Sequence, residues 1–125
     1  MSEIKILKTH HDLEVWKRSV DLVIAVYGLT NRFPQSEIYG LTSQIRRSAI
    51  SIPSNIAEGA GRNSSKDFNN FLGIAAGSLA ELETQLIIAS KLSYLDKEKL
   101  DEINNELIVI RKMLFGLKKA VNSKR

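Results

Sequence analysis

The sequence predicts an all-α fold, an antiparallel up-down-up-down four-helix bundle. Three observations predict it. Apolar residues recur at threes and fours through nearly the whole chain, the period of an amphipathic helix and not of a strand. Only two prolines occur, and leucine, isoleucine and alanine are abundant, a helical composition. The stretches between the periodic segments are short, and short connections make consecutive helices antiparallel. At 125 residues the whole chain, 1–125, reads as one domain with room for a core that needs no staples.

Residues 1–11 read as a flexible tail. Asp12 stands where a helix N-cap belongs, its carboxylate facing the free N–H groups of a first turn. Leu13, Trp16, Val20, Val23 and Tyr27 then form one helical stripe. Val15, Leu22, Val26 and Leu29 form a second. Together they make more than half the circumference apolar, where a surface helix of a monomer needs one stripe. Helix 1 is therefore either the central helix of a monomeric bundle or a helix in contact with another subunit. Phe33-Pro34 ends it, because proline pushes the preceding residue out of the α region.

Ser36 can cap helix 2. Ile38, Leu41, Ile45, Ala49, Ile52 and Ile56 share one face, with Gln44, Arg47, Ser51, Asn55 and Glu58 opposite. Pro53 removes an N–H and crowds the carbonyl of Ala49. The apolar pattern stays in phase on both sides, so a kink near Pro53 is expected and not a stop. Ser48, Ser51 and Ser54 are placed to bond the backbone groups that a kink frees. Asn55 and Glu58, one turn apart, suit a polar network holding the kink. Gly59 and Gly61 are expected to end the helix in the left-handed conformation.

Asn63 to Asp67 reads as a turn with capping serines and an acid in the next first turn. In helix 3, Phe68, Leu72, Ala75, Leu79, Leu82, Leu86 and Ala89 form a heptad seam. Gly73, Ala76, Gly77 and Ala80 make a small-residue stripe beside it. Each glycine there costs about 1 kcal/mol against alanine, so a closely approaching helix is expected. The chain turns at Ser93-Tyr94-Leu95. Asp96 caps helix 4, in which Leu100, Ile103, Leu107, Ile110, Leu114, Leu117 and Val121 keep the alternation. Residues 122–125 read as a second flexible tail. The four helices should run to roughly 20 to 28 residues each.

The totals exclude several chemistries. No cysteine is present, which removes disulfides and thiol catalysis and suits a reducing cytoplasm. The two histidines, His10 and His11, are adjacent in the expected tail and make a poor ligand pair. No Glu-x-x-His motif exists for a di-iron bundle site. GAGR at 59–62 lacks the lysine ending and the preceding strand of a phosphate loop. No signal peptide is expected, and no membrane span, because Asp21, Gly28 or Glu81 breaks the longest apolar runs. No pair of groups has the reach that acid–base catalysis needs, so neither an enzyme nor a cofactor is expected. Trp16, Tyr27, Phe68 and Phe71 fall on apolar stripes and read as core, while Tyr39 and Tyr94 sit near helix ends.

Charge carries the remaining information. The net charge is +4, which favours anionic partners. In the up-down arrangement one end collects Lys5, Lys8, Arg62, Lys66, Lys118, Lys119, Lys124 and Arg125, against Glu3, Asp12, Glu58 and Asp67. The far end of helix 4 carries Asp96, Glu98, Asp101, Glu102 and Glu106, partly as the helix dipole favours. Lys5, Lys8, Arg62, Lys66, Lys118 and Lys119 are the candidate nucleic-acid contacts. Arg46 and Arg47, mid-helix, are candidates for ion pairs between helices or subunits, with Glu58, Glu81 and Glu83 as carboxylates. Phosphate contact is their alternative role. A non-enzymatic oligomeric adaptor binding RNA or DNA through the basic end is one functional reading. A protein–protein scaffold without nucleic acid is the other.

DLEVWKRSVDLVIAVY, FPQSEIYGLTSQIRRSAISIPSNIAEGAGR and FNNFLGIAAGSLAELETQLIIASKLSYL together resemble the bundle proteins encoded in intervening sequences of bacterial 23S ribosomal RNA genes. The likeness runs from about Asp12 to Leu117. It implies a left-handed four-helix bundle that assembles as a homopentamer. It also implies kinship with the accessory protein of diversity-generating retroelements, a pentamer that binds its reverse transcriptase and nucleic acid. The family has no assigned enzymatic activity. Five basic ends in one ring would give a rim of about twenty positive charges, enough to attract nucleic acid.

Overall fold

A computed structural model describes residues 13–123. Four helices fill most of that span: α1 (Glu14–Thr30), α2 (Leu41–Ala60), α3 (Ser65–Lys91) and α4 (Lys97–Ser123). A 3-10 turn at Gln35–Glu37 lies between α1 and α2. Each helix packs on its neighbours in sequence, and α1 closes the ring on α4. Contacts across the seams set the directions. Thr30, ending α1, meets Arg46 early in α2. Gly59, late in α2, lies against Phe68 and Phe71 early in α3. Asn69, early in α3, is hydrogen-bonded to Asn122 at the end of α4. Consecutive helices are antiparallel, and the fold is an all-α four-helix bundle.

The second stripe of α1 faces the core: Val15, Leu22 and Val26 are buried, with Ser19 and Thr30 between them. The two hydroxyls are satisfied locally, Ser19 Oγ donating to the Val15 carbonyl at 2.6 Å and Thr30 Oγ1 to that of Val26 at 2.9 Å. Burial is tolerable because each hydroxyl finds an acceptor on its own helix. Trp16, Val20, Val23 and Tyr27 are only half-buried, and Ile24 beside them is 67% exposed. The helix stops at Thr30, three residues short of Phe33-Pro34, where N–H groups of Arg32 and Phe33 tighten onto carbonyls three residues back. Its 17 residues fall short of the expected length. The extended residue before it, Leu13, provides no side-chain cap; Asp12 and the tail expected at 1–11 lie outside the described residues.

The start of α2 corrects the sequence reading. Ser36 lies inside the 3-10 turn and Ile38 just after it, so neither belongs to the helix. Glu37 does the capping: its Oε1 accepts the Leu41 N–H at 3.1 Å and its Oε2 accepts the Tyr94 hydroxyl at 2.8 Å. The Leu41 N–H first, and the Tyr94 hydroxyl second, hold the Glu37 carboxyl below its usual range. The same bond pushes the Tyr94 phenol up. A carboxylate four residues ahead of the helix was hard to see because the intervening turn brings it back over the first N–H groups.

α2 runs through Pro53, which is buried. Ser51 Oγ bonds Ser78 Oγ on α3 at 2.8 Å, and Asn55 Nδ2 donates to the Ser51 carbonyl at 2.8 Å and to its Oγ at 2.9 Å. Glu58 takes no part in this network; it pairs with Arg62. Ser54 is exposed. The glycines differ from expectation too. Gly61 is right-handed at φ −84, and no described glycine has a positive φ. Gly59 is needed for space: a Cβ there would stand 2.8 Å from Phe71 Cβ and 3.1 Å from the Phe68 carbonyl oxygen. The left-handed residue is Ser93 (φ 66), after α3. It places the Tyr94 N–H on the Ala89 carbonyl at 2.9 Å and the Ser93 N–H on that of Ser90 at 3.0 Å, a Schellman ending.

Ser64 Oγ caps α3 by accepting the Asp67 N–H at 3.1 Å, and Asp96 Oδ1 accepts the Lys99 N–H at 2.8 Å at the start of α4. The α3 seam is fully buried from Leu72 to Ala89, while Phe68 is half-buried. In α4, Ile103, Leu107, Ile110, Leu114 and Val121 face the core. Asn122 and Ser123, expected in a tail, are still helical; residues 124–125 lie outside the described residues. Among the described residues α3 is long and apolar enough to cross a membrane, with a mean hydropathy of 1.3 over its most apolar window, which the charges of Glu81 and Glu83 do not prevent. A third of that window is buried inside the bundle.

Candidate nucleic-acid interface

The basic end is built by the turn after α2, the first turn of α3 and the last turns of α4. Lys66 and Lys119 are exposed and have no partner among the described residues. Arg62 is held twice: its guanidinium meets Glu58 Oε2 at 2.7 Å and lies 4.8 Å from the centre of the Phe71 ring. Half-buried Lys118 reaches across to α3, its Nζ donating to the Asn69 carbonyl at 3.4 Å. Lys5 and Lys8 lie outside the described residues. The end thus carries two free ammonium groups, one anchored along a helix edge, and a guanidinium partly neutralised by Glu58. Asp67 also lies here, capped into the α3 terminus. Such a surface suits the phosphate backbone of a nucleic acid.

The five ion-pair candidates separate. Glu83 Oε1 meets Arg111 on α4 at 3.0 Å. Glu58 pairs with Arg62 in the turn that follows its helix. Arg46 finds no carboxylate among the described residues: it donates to Thr30 Oγ1 at 2.9 Å and Asn31 Oδ1 at 3.0 Å, and lies 4.4 Å from the Tyr27 ring centre. It therefore ties α2 to the end of α1 through two neutral acceptors and an aromatic face. Arg47 and Glu81 have no partner among the described residues. Tyr27 and Phe71, expected as core, serve instead as half-buried platforms for arginines.

One pair was not anticipated. Arg18 on α1 and Glu106 on α4 form a bidentate bridge, at 2.9 Å from Nε and 2.8 Å from Nη2. The hydrogen bond to Glu106, then its charge, raises the Arg18 pKa further. Only the spatial closure of α1 on α4 brings residues 88 positions apart together.

Fold and surface together define a four-helix bundle with basic side chains gathered at one end. The chain belongs to the 23S rRNA-intervening sequence protein family, whose profile matches residues 11–116. A crystal structure of a protein of unknown function from the S23 ribosomal protein family of Bacteroides thetaiotaomicron is similar to it, at 29% identity with a TM-score of 0.78. The likeness covers 84% of this chain and 95% of that one. No curated protein matches the chain.

Proposed function

We propose that the chain is a non-enzymatic, self-assembling adaptor that binds nucleic acid, or an enzyme acting on nucleic acid, through its basic end. The observation carrying this is the convergence of Arg62, Lys66, Lys118 and Lys119 at one end, with Lys66 and Lys119 free and exposed. Assembly, as the kinship suggests, into a pentamer would repeat that end around one rim and raise its field. If a reverse transcriptase is encoded beside this chain, that enzyme is the expected partner. The absence of cysteine suits work in the reducing cytoplasm.

The test is binding of RNA and DNA as a function of salt. If the four described cations each meet a phosphate, affinity should fall roughly a hundredfold between about 50 and 200 mM salt. Lys66→Glu with Lys119→Glu should weaken binding and leave the circular dichroism melt in place. No retention of either nucleic acid at about 50 mM salt would end this reading. A scaffold binding only protein is the second reading, favoured by the exposed apolar residues Ile24, Ile74 and Phe115. A partner retained after nuclease treatment and at high salt would support it.

A further inference from the structure

We infer that copies of this chain join through the outer faces of α2 and α3, with Arg47 of one copy paired to Glu81 of the next. This rests on the self-assembly half of the proposed function and assigns a surface to it.

On α2, Arg46 is anchored to α1 and Glu58 to Arg62, so Arg47 alone has no partner among the described residues. On α3, the only charges between Asp67 and Lys91 are Glu81 and Glu83. Glu83 pairs with Arg111, so Glu81 alone is unmatched. Arg47 and Glu81 open onto the same outward groove of about 520 Å³, with Tyr39, Ser43 and Ser51, yet make no ion pair with each other. Each copy thus offers one free cation on α2 and, along the middle of α3, one free anion. A second copy carries the matching charge for each, whereas an unrelated partner would need both charges at the same spacing.

Two further observations fit a partner here. Apolar residues flank this polar groove: Tyr39 is 96% exposed, and Ile50, Ile74 and Ile88 are exposed on α2 and α3. Gly77 on the outer side of α3 has nothing within 4 Å of where a Cβ would stand, so another backbone can approach closely. Covering apolar surface would supply the affinity, and the charge pair would select the register.

The experiment uses the full chain. Sedimentation velocity on the wild type, Arg47→Glu, Glu81→Arg and the double exchange should show an assembly, two weakened ones and a restored one. Each single reversal should raise the copy–copy dissociation constant about tenfold or more. The chain has no cysteine, so Arg47→Cys and Glu81→Cys chains can be mixed and joined with a short bis-maleimide, which spans the length of the two replaced side chains that a disulfide could not. A covalent dimer containing one of each is expected. If the wild type sediments as a monomer, the self-assembly reading itself fails. If it assembles but both reversals leave the assembly unchanged and the mixed chains do not cross-link, the surface assigned here is wrong and the assembly reading survives. Circular dichroism melts of the variants separate lost assembly from lost folding.

Discussion

The α2–α3 seam and the α1–α4 seam close the same bundle by opposite means. Between α2 and α3 the backbones come close: Gly59 lies against Phe68 and Phe71, and Ser51 meets Ser78 directly. The facing rows, Ile45, Ala49, Ile52 and Ile56 with Leu72, Ala75, Leu79 and Leu82, are completely buried. Between α1 and α4 a groove of about 570 Å³ stays open above Leu22 and Ile103, and the long side chains of Arg18 and Glu106 reach across it. The difference follows from side-chain size. Glycine and serine let helices approach until core rows interlock, as dense packing requires. Arginine and glutamate can span a gap without filling it, and a partly exposed ion pair adds little to stability.

The contrast can be broken or sharpened by substitution. Leu79→Ala should give the largest loss, about 3–5 kcal/mol, because a fully enclosed site relaxes poorly. Ile103→Ala, at the floor of the open groove, should cost about 2 kcal/mol, because its surroundings can move in. Denaturant unfolding reads both, and equal losses would mean that the two seams are packed alike.

Gly59→Ala comes next. Overpacking costs about 1–3 kcal/mol and removing a helical glycine returns about 1 kcal/mol, leaving a modest net loss. Gly116→Ala, where nothing lies within 4 Å of the new methyl, should instead gain about 0.5–1 kcal/mol. The opposite signs are the result to look for in thermal melts. The smallest effect belongs to Arg18→Ala. Its melt should move slightly at low salt and merge with that of the wild type as salt screens the pair. A large shift independent of salt would show that this bridge, and not the apolar floor beneath it, holds the seam.

Much of the architecture was legible because it depends on local period. The α3 seam from Leu72 to Ala89 and the α4 row from Ile103 to Val121 were readable as heptads, and Ser64 and Asp96 as caps, because each signal lies within a few residues. The basic end followed from the order of four antiparallel helices. The cap on α2 was misplaced at Ser36, because Glu37 reaches Leu41 only after a 3-10 turn. Gly59 was recognised as special for the wrong reason. Composition shows that a side chain is missing; it does not show whether the backbone conformation or a neighbouring phenylalanine forbids it. The partners of Arg46, neutral groups at the end of α1, carried no charge pattern to find.

The sequence by itself determined the number of helices, their antiparallel order and most of the core-facing residues, since helical periodicity and short loops are properties of neighbouring residues. Tertiary structure alone decided which of the two α1 stripes turns inward, how closely each seam shuts, and which charges find partners. Those outcomes depend on residues far apart in the chain, such as Arg18 and Glu106, or Gly59 and Phe71, whose distances exist only once the helices have packed.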